Sequence, residues 1–216
     1  TNKFFNKLFL VQTFLNLNSF DTEILYSLEN DTAIQSLEKK VKYLIIYGPN
    51  KSGKTTIAKK FSTNNNIDLT NSVPHELNFN KETYLDLNTL PGQDENFFHF
   101  LQYFVTNNIP LTIFTSENSI DKLNDEVYLP DVVSRLKQFT LCNIHNPKKD
   151  LLFKLINKYL SFKSISVSEQ IIIEVLNHIE RTYLSAFEAA NTINHLLYEN
   201  NHNINLSLIR KHYERL

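Results

Sequence analysis

The stretch YLIIYGPNKSGKTTIAKKF, residues 43–61, decides how the rest of the chain is read. Tyr43 to Tyr47 is an apolar run of strand length that ends at a glycine, the pattern of a buried strand. Gly48, four residues, then Gly53, Lys54 and Thr55 complete the G-x-x-x-x-G-K-[ST] pattern of a phosphate-binding loop. Thr56 to Phe61 is compatible with a helix, so strand, loop and helix follow in the order the motif requires. In such a loop the backbone N–H groups and the helix N-terminus converge on an anion, where the helix dipole also favours negative charge. The pattern assigns Gly48, Pro49, Asn50, Lys51, Ser52, Gly53, Lys54, Thr55 and Thr56 to that site. Lys54 would reach the β- and γ-phosphates and the Thr55 hydroxyl would sit on Mg²⁺. The chain holds three Gly in 216 residues, and two of them are here. A sequence so sparing with glycine is expected to need backbone freedom at both Gly48 and Gly53.

Working outward, Ile67 to Leu69, Thr83 to Asp86, Leu111 to Thr115 and Leu141 to Ile144 read as further strands. Between them Thr32 to Lys40 and Asn96 to Asn107 read as helices, and Leu129 to Phe139 as a short helix or turn. Alternation of this kind implies an α/β fold, with a parallel sheet covered on both faces. Ligands bind at the carboxyl ends of such strands, where Thr55, Asp86 and Ser116 fall. Asp86 closes an apolar strand downstream of a phosphate loop, which makes it the expected second Mg²⁺ ligand. After Pro147 no strand pattern remains, and Asp150 to Phe162, Ser168 to Glu180, Ser185 to Glu199 and Leu206 to Leu216 have helical periodicity. Capping boxes at Ser166 with Glu169 and Ser185 with Glu188 mark two helix starts. The expected organisation is an N-terminal segment over 1–19, an α/β nucleotide-binding core over 20–147 and a small all-α lid over 148–216. The aromatic run 4–17 has no assignable period.

Hydrophobic content of 42% and charged content of 21% describe an ordinary globular chain. A formal net charge of −1 excludes a global basic field that would draw it onto nucleic acid. The one cysteine, Cys142, excludes an internal disulfide and suits a reducing compartment, so a cytoplasmic location is expected. It lies in a strand-like run and reads as a small core residue. The seven His show no metal-ligand spacing. No run is long enough to span a membrane, and Leu8 to Leu17 lacks the cleavage site of a signal peptide. Thr1 in place of Met leaves open what lies upstream.

The layout of a phosphate-loop core followed by a helical lid resembles the AAA+ ATPases, and in detail the DnaA-related branch of replication proteins. Leu129-Pro130-Asp131-Val132-Val133-Ser134-Arg135-Leu136 is similar to the family segment ending in Ser-Arg-Leu/Phe. That resemblance implies that Arg135 is an arginine finger presented to a neighbouring subunit's nucleotide. Thr115-Ser116-Glu117 resembles the family's sensor 1 strand end, which assigns Glu117 that role, and Asn143 to Asp150 resembles the entry to the lid. The implied ligand is ADP or ATP with Mg²⁺.

Three departures narrow the implication. Leu87, with Asn88 after it, stands where DnaA members carry a second acidic residue that polarises the attacking water, so intrinsic hydrolysis is expected to be slow or absent. Leu184 stands where the lid's sensor 2 arginine is expected, with Arg181 one turn away. No helix-turn-helix pattern follows the lid, so sequence-specific DNA binding is not expected. Together these resemble Hda-type regulators, which implies a protein that stimulates ATP hydrolysis by the DnaA initiator while held on the DNA-polymerase sliding clamp. Self-association is also open. Gln12, Leu15 and Leu17 match positions of the clamp-binding peptide of that group, although a strand packed on the core fits them as well. The competing reading is a self-sufficient P-loop NTPase or small-molecule kinase working through Lys54, Thr55 and Asp86.

Overall fold

The computed structural model describes residues 23–116, 120, 128–201 and 203–214. They divide into two compact units, one spanning Thr22–His145 and one containing Asn146–Leu216.

Among the described residues, the first unit is built on five parallel strands: β1 (Tyr43–Gly48), β2 (Asp68–Thr70), β3 (Thr83–Asp86), β4 (Leu111–Ser116) and β5 (Thr140–Asn143). They lie in the order β2-β3-β4-β1-β5. The apolar run that opens the phosphate motif is therefore the inner strand β1, paired on both sides and buried at Leu44, Ile45 and Ile46. A strand buried on both faces must be apolar at successive positions rather than at alternate ones. Helices of this unit whose residues are described are α1 (Asp31–Glu38), α2 (Lys54–Asn65), α3 (Glu95–Thr106) and α4 (Pro130–Leu136).

Side chains alternate across a strand, so the two sheet faces can be read from the core. Ile45, Leu85, Leu111 and Ile113 pack with Phe97, Phe100, Leu101 and Phe104 of α3 and with Val132, Val133 and Leu136 of α4. The opposite face carries Leu44, Ile46, Tyr84 and Phe114, and α2 packs against β1 to β4. Cys142 is buried there beside α1, its Sγ 3.2 Å from Ser36 Oγ, which accords with a small core residue.

The second unit is all helical among its described residues: α5 (Lys149–Phe162), α6 (Glu169–Leu176), α7 (Tyr183–Glu199) and α8 (Leu206–Tyr213). Both expected capping boxes are displaced. The N-cap of α6 is Ser168, not Ser166. That of α7 is Thr182, whose hydroxyl accepts the Ser185 N–H, so Ser185 is already inside the helix. α6 also stops at Leu176, short of Glu180. Its last turn tightens, with Asn177 N–H donating to Glu174 O and His178 N–H to Val175 O, and the His178 ring stacks on Tyr213 of α8 with 5° between planes.

Candidate functional site

The segment between β1 and α2 holds the motif. Its two glycines serve different ends. Gly53, the N-cap of α2, has φ +88°, a left-handed conformation that costs an L side chain about 1–2 kcal/mol, and a Cβ placed there meets nothing within 4 Å. Gly48 has no such conformation among the positive-φ residues. It is glycine because a Cβ would lie 2.7 Å from the Ile144 carbonyl oxygen and 3.0 Å from Ile144 Cβ. The expectation of backbone freedom thus holds for Gly53 and is corrected for Gly48, where room is what matters. Lys51 takes the other left-handed position of the loop, φ +66°.

Lys54 opens α2 and turns back over the loop. Its Nζ donates to the carbonyls of Gly48 and Pro49, each at 2.9 Å, and to Ser52 Oγ at 3.3 Å. The ammonium therefore holds the carbonyl side of the loop in shape. On the other side no side chain caps the first turn of α2, which leaves a helix N-terminus of the kind that receives anions. Pro49 O also accepts the Ser52 N–H at 3.3 Å. Thr55 is exposed and Thr56 partly so, at the start of the helix.

Asp86 ends β3 on the sheet face that α2 covers, in register with Phe114 of β4 and, through it, with Ile46 of β1. It is half-buried, and its carboxylate has no hydrogen bond or ion pair among the described residues. A carboxylate left without a protein partner at the end of a strand that α2 packs against is available to a cation. The donor set of a hydroxyl, a carboxylate and phosphate oxygens is what Mg²⁺ takes. The donor types present, main-chain amides at the helix start, the Thr55 hydroxyl and the Asp86 carboxylate, are of the kind that a nucleotide with Mg²⁺ takes, while the Lys54 ammonium is engaged by the loop's own carbonyls. The neighbouring Leu87 is partly buried against the α3 side of the core, and its N–H donates to Phe114 O at 2.8 Å. A packing position, rather than a second carboxylate, follows Asp86.

This architecture has solved counterparts. Domain III of the replication initiation protein DnaA from Thermotoga maritima superposes with a TM-score of 0.64 at 13% identity, covering 86% of this chain and 91% of that one. The fold is that of an AAA+ P-loop NTPase. The RuvB Holliday junction branch migration motor of T. maritima matches with a TM-score of 0.57 at 15% identity over 87% of this chain and 67% of that one. AMPPCP-bound DnaA from Aquifex aeolicus gives 0.59 at 15%, covering 79% of this chain and 63% of that one. No protein-family model and no curated protein matches the sequence.

Within the α/β unit, Arg135 sits near the end of α4, partly exposed, with no ion-pair or hydrogen-bond partner for its side chain among the described residues. Buried Val132, Val133 and Leu136 fix the helix that carries it. A surface salt bridge, the ordinary use of a helical arginine, does not account for it among those residues. Glu117, and with it the sensor 1 assignment, lies outside the described residues, as do Gln12, Leu15 and Leu17. A polar row lies one residue further along the strands, on the sheet face opposite Asp86. Thr115, Tyr47 and Asn143 form a row across β4, β1 and β5, and Thr115 Oγ1 and Asn143 Oδ1 are buried without a partner among the described residues. Only their place next to strand ends, where polar residues interrupt apolar runs, could have signalled them.

Proposed function

We propose that this chain is an adenine-nucleotide-binding AAA+ regulator of DNA replication initiation, acting on the DnaA initiator in the manner of Hda-type proteins. The observation that carries the reading is the phosphate loop: a left-handed Gly53, an uncapped helix start, Lys54 folded onto the loop carbonyls and an open Asp86 on the sheet face that α2 covers. Gly48 to Thr56 would hold the phosphates of ADP or ATP, and Thr55 and Asp86 the Mg²⁺. The metal would neutralise phosphate charge. The protein's own contribution would be to bind and orient.

Leu87 favours a regulator over a self-sufficient NTPase or kinase. Positioning the attacking water is most of what a protein does in phosphoryl transfer, and an apolar side chain packed into the core cannot do it. Arg135 supplies the complementary half. Its guanidinium, unpartnered among the described residues on a rigidly packed helix, suits insertion beside the nucleotide of a neighbouring subunit. An arginine finger is worth about 10³–10⁵ in rate.

Attachment to the sliding clamp through Gln12, Leu15 and Leu17 completes the proposal. The test is a reconstitution with DnaA loaded with ATP, with and without the clamp on DNA. Faster ATP loss from DnaA with this chain, abolished by Arg135→Ala, is the expected result. Stimulation that survives Arg135→Ala would remove the finger, and rapid turnover by the isolated chain would favour the self-sufficient enzyme. Loss of clamp co-purification in Gln12→Ala is expected; retained binding discards that peptide.

A further inference from the structure

Gly92 is the third glycine of the chain and lies between β3 and α3, outside the phosphate motif. Conformational freedom does not explain it, since Gly53 is the glycine with positive φ among the described residues. Space does. A Cβ on Gly92 would lie 2.0 Å from Cδ1 and 2.5 Å from Cε1 of Tyr128. Tyr128 is 3% exposed, in a buried cluster that includes Leu90 from the same loop, Phe97 of α3 and Val132 and Val133 of α4. A main-chain bond reinforces the contact: Leu129 N–H donates to Gly92 O at 2.8 Å, and Leu129 O accepts the Val133 N–H that begins α4. Gly92 is thus joined to the start of the Arg135 helix by a ring contact and by a hydrogen bond.

On its other side Gly92 follows Asp86 through backbone tied to β4. Leu87 N–H donates to Phe114 O at 2.8 Å, and Asn88 O accepts Ser116 N–H at 3.1 Å. Close-packed interiors transmit displacement rather than absorb it. A shift at the carboxyl end of β3 therefore has a continuous path, through Leu90 and Gly92 to Tyr128, into α4.

We propose that Gly92 is a positioning residue, which by admitting the Tyr128 ring makes the loop after Asp86 and helix α4 one mechanical unit, so that the occupancy of the phosphate site is read at Arg135. The inference rests on the nucleotide-binding reading above.

The experiment is hydrogen–deuterium exchange on the full chain with and without ADP and Mg²⁺, reading residues 53–57 and residues 132–136 separately. In the wild type both segments slow, α4 by about fivefold or more, the lower end of ordinary allosteric coupling. In Gly92→Ala the slowing at 53–57 persists and the response of α4 is lost. Tyr128→Leu removes the ring without a collision and gives the same uncoupling, which keeps the test open if Gly92→Ala does not fold. In a Tyr128→Ala background, adding Gly92→Ala changes α4 exchange no further, because the two positions act through one contact. Slowing at 53–57 with α4 unchanged in the wild type, or an α4 response that survives both variants, overturns the coupling. No slowing at 53–57 overturns the nucleotide reading instead.

Discussion

Replacing each loop glycine by Ala and by Asn separates two reasons for glycine that look alike in the sequence. At Gly48 an added Cβ would sit 2.7 Å from a main-chain oxygen, Ile144 O, whereas ordinary contact begins near 3.4 Å. That oxygen belongs to a backbone whose own N–H donates to Tyr47 O at 2.7 Å, so it cannot retreat without spreading β1 from β5. Overpacking of this kind costs about 1–3 kcal/mol. For a chain of this size each kcal/mol moves the melting temperature by roughly 2–4 °C, and Gly48→Asn must be worse than Gly48→Ala because it is larger. At Gly53 the space is open and the penalty is conformational, about 1–2 kcal/mol for Ala in the left-handed region. Asn tolerates that region several-fold better than most residues, so Gly53→Asn should recover much of what Gly53→Ala loses. Urea unfolding midpoints of the four variants read this directly. The reasoning is refuted if Asn is the better replacement at 48, or if Ala at 53 costs nothing.

Other outcomes follow from single residues. Arg135→Ala should leave stability within about 0.5 kcal/mol, since its side chain has no partner among the described residues, and leave nucleotide affinity intact. Calorimetric titration checks the affinity, and a loss of either property would make Arg135 structural. Asp86→Asn should remove the Mg²⁺ dependence of nucleotide affinity while leaving the unliganded fold as stable as before; equal Mg²⁺ dependence in both proteins would dismiss it as a ligand. In the helical unit, the Arg210 guanidinium donates from Nε to Glu174 Oε1 at 2.7 Å and holds that carboxyl below its usual range, with His178 assisting. A depressed native pKa contributes stability above the unfolded value, about 4.3, that is lost as pH falls through the native one. The stability gap between wild type and Glu174→Gln should therefore be present at neutral pH and close in acid. A gap that widens in acid would contradict the assignment.

How much of this was open to inspection in the sequence depends on how local the cause is. The strand, loop and helix of residues 43–61 are written in neighbouring residues, and the inner, apolar β1 follows from an uninterrupted apolar run. Asp86 was legible for the same reason, as the end of a short apolar strand. Gly48 and Gly92 were not, because what each glycine makes room for, Ile144 and Tyr128, is distant in the chain. The start of α7 misled for a subtler reason. Ser185 and Glu188 have capping-box spacing, but Thr182 lies three residues earlier and its hydroxyl takes the Ser185 N–H, moving the cap upstream. The buried hydroxyl of Thr115 and amide oxygen of Asn143 could be recognised only once strand pairing put them in one row.

The most direct test of the central claim is the thermal stability of the wild-type chain and of Lys54→Ala with ADP or ATP and Mg²⁺. Ligand at about 100 times its Kd should stabilise the wild type by roughly 2.7 kcal/mol, a rise of about 5–11 °C at this chain length. Lys54→Ala, having lost the ammonium that holds Gly48 O and Pro49 O, should show almost none of that rise. A wild type that melts at the same temperature with and without either nucleotide would contradict the account.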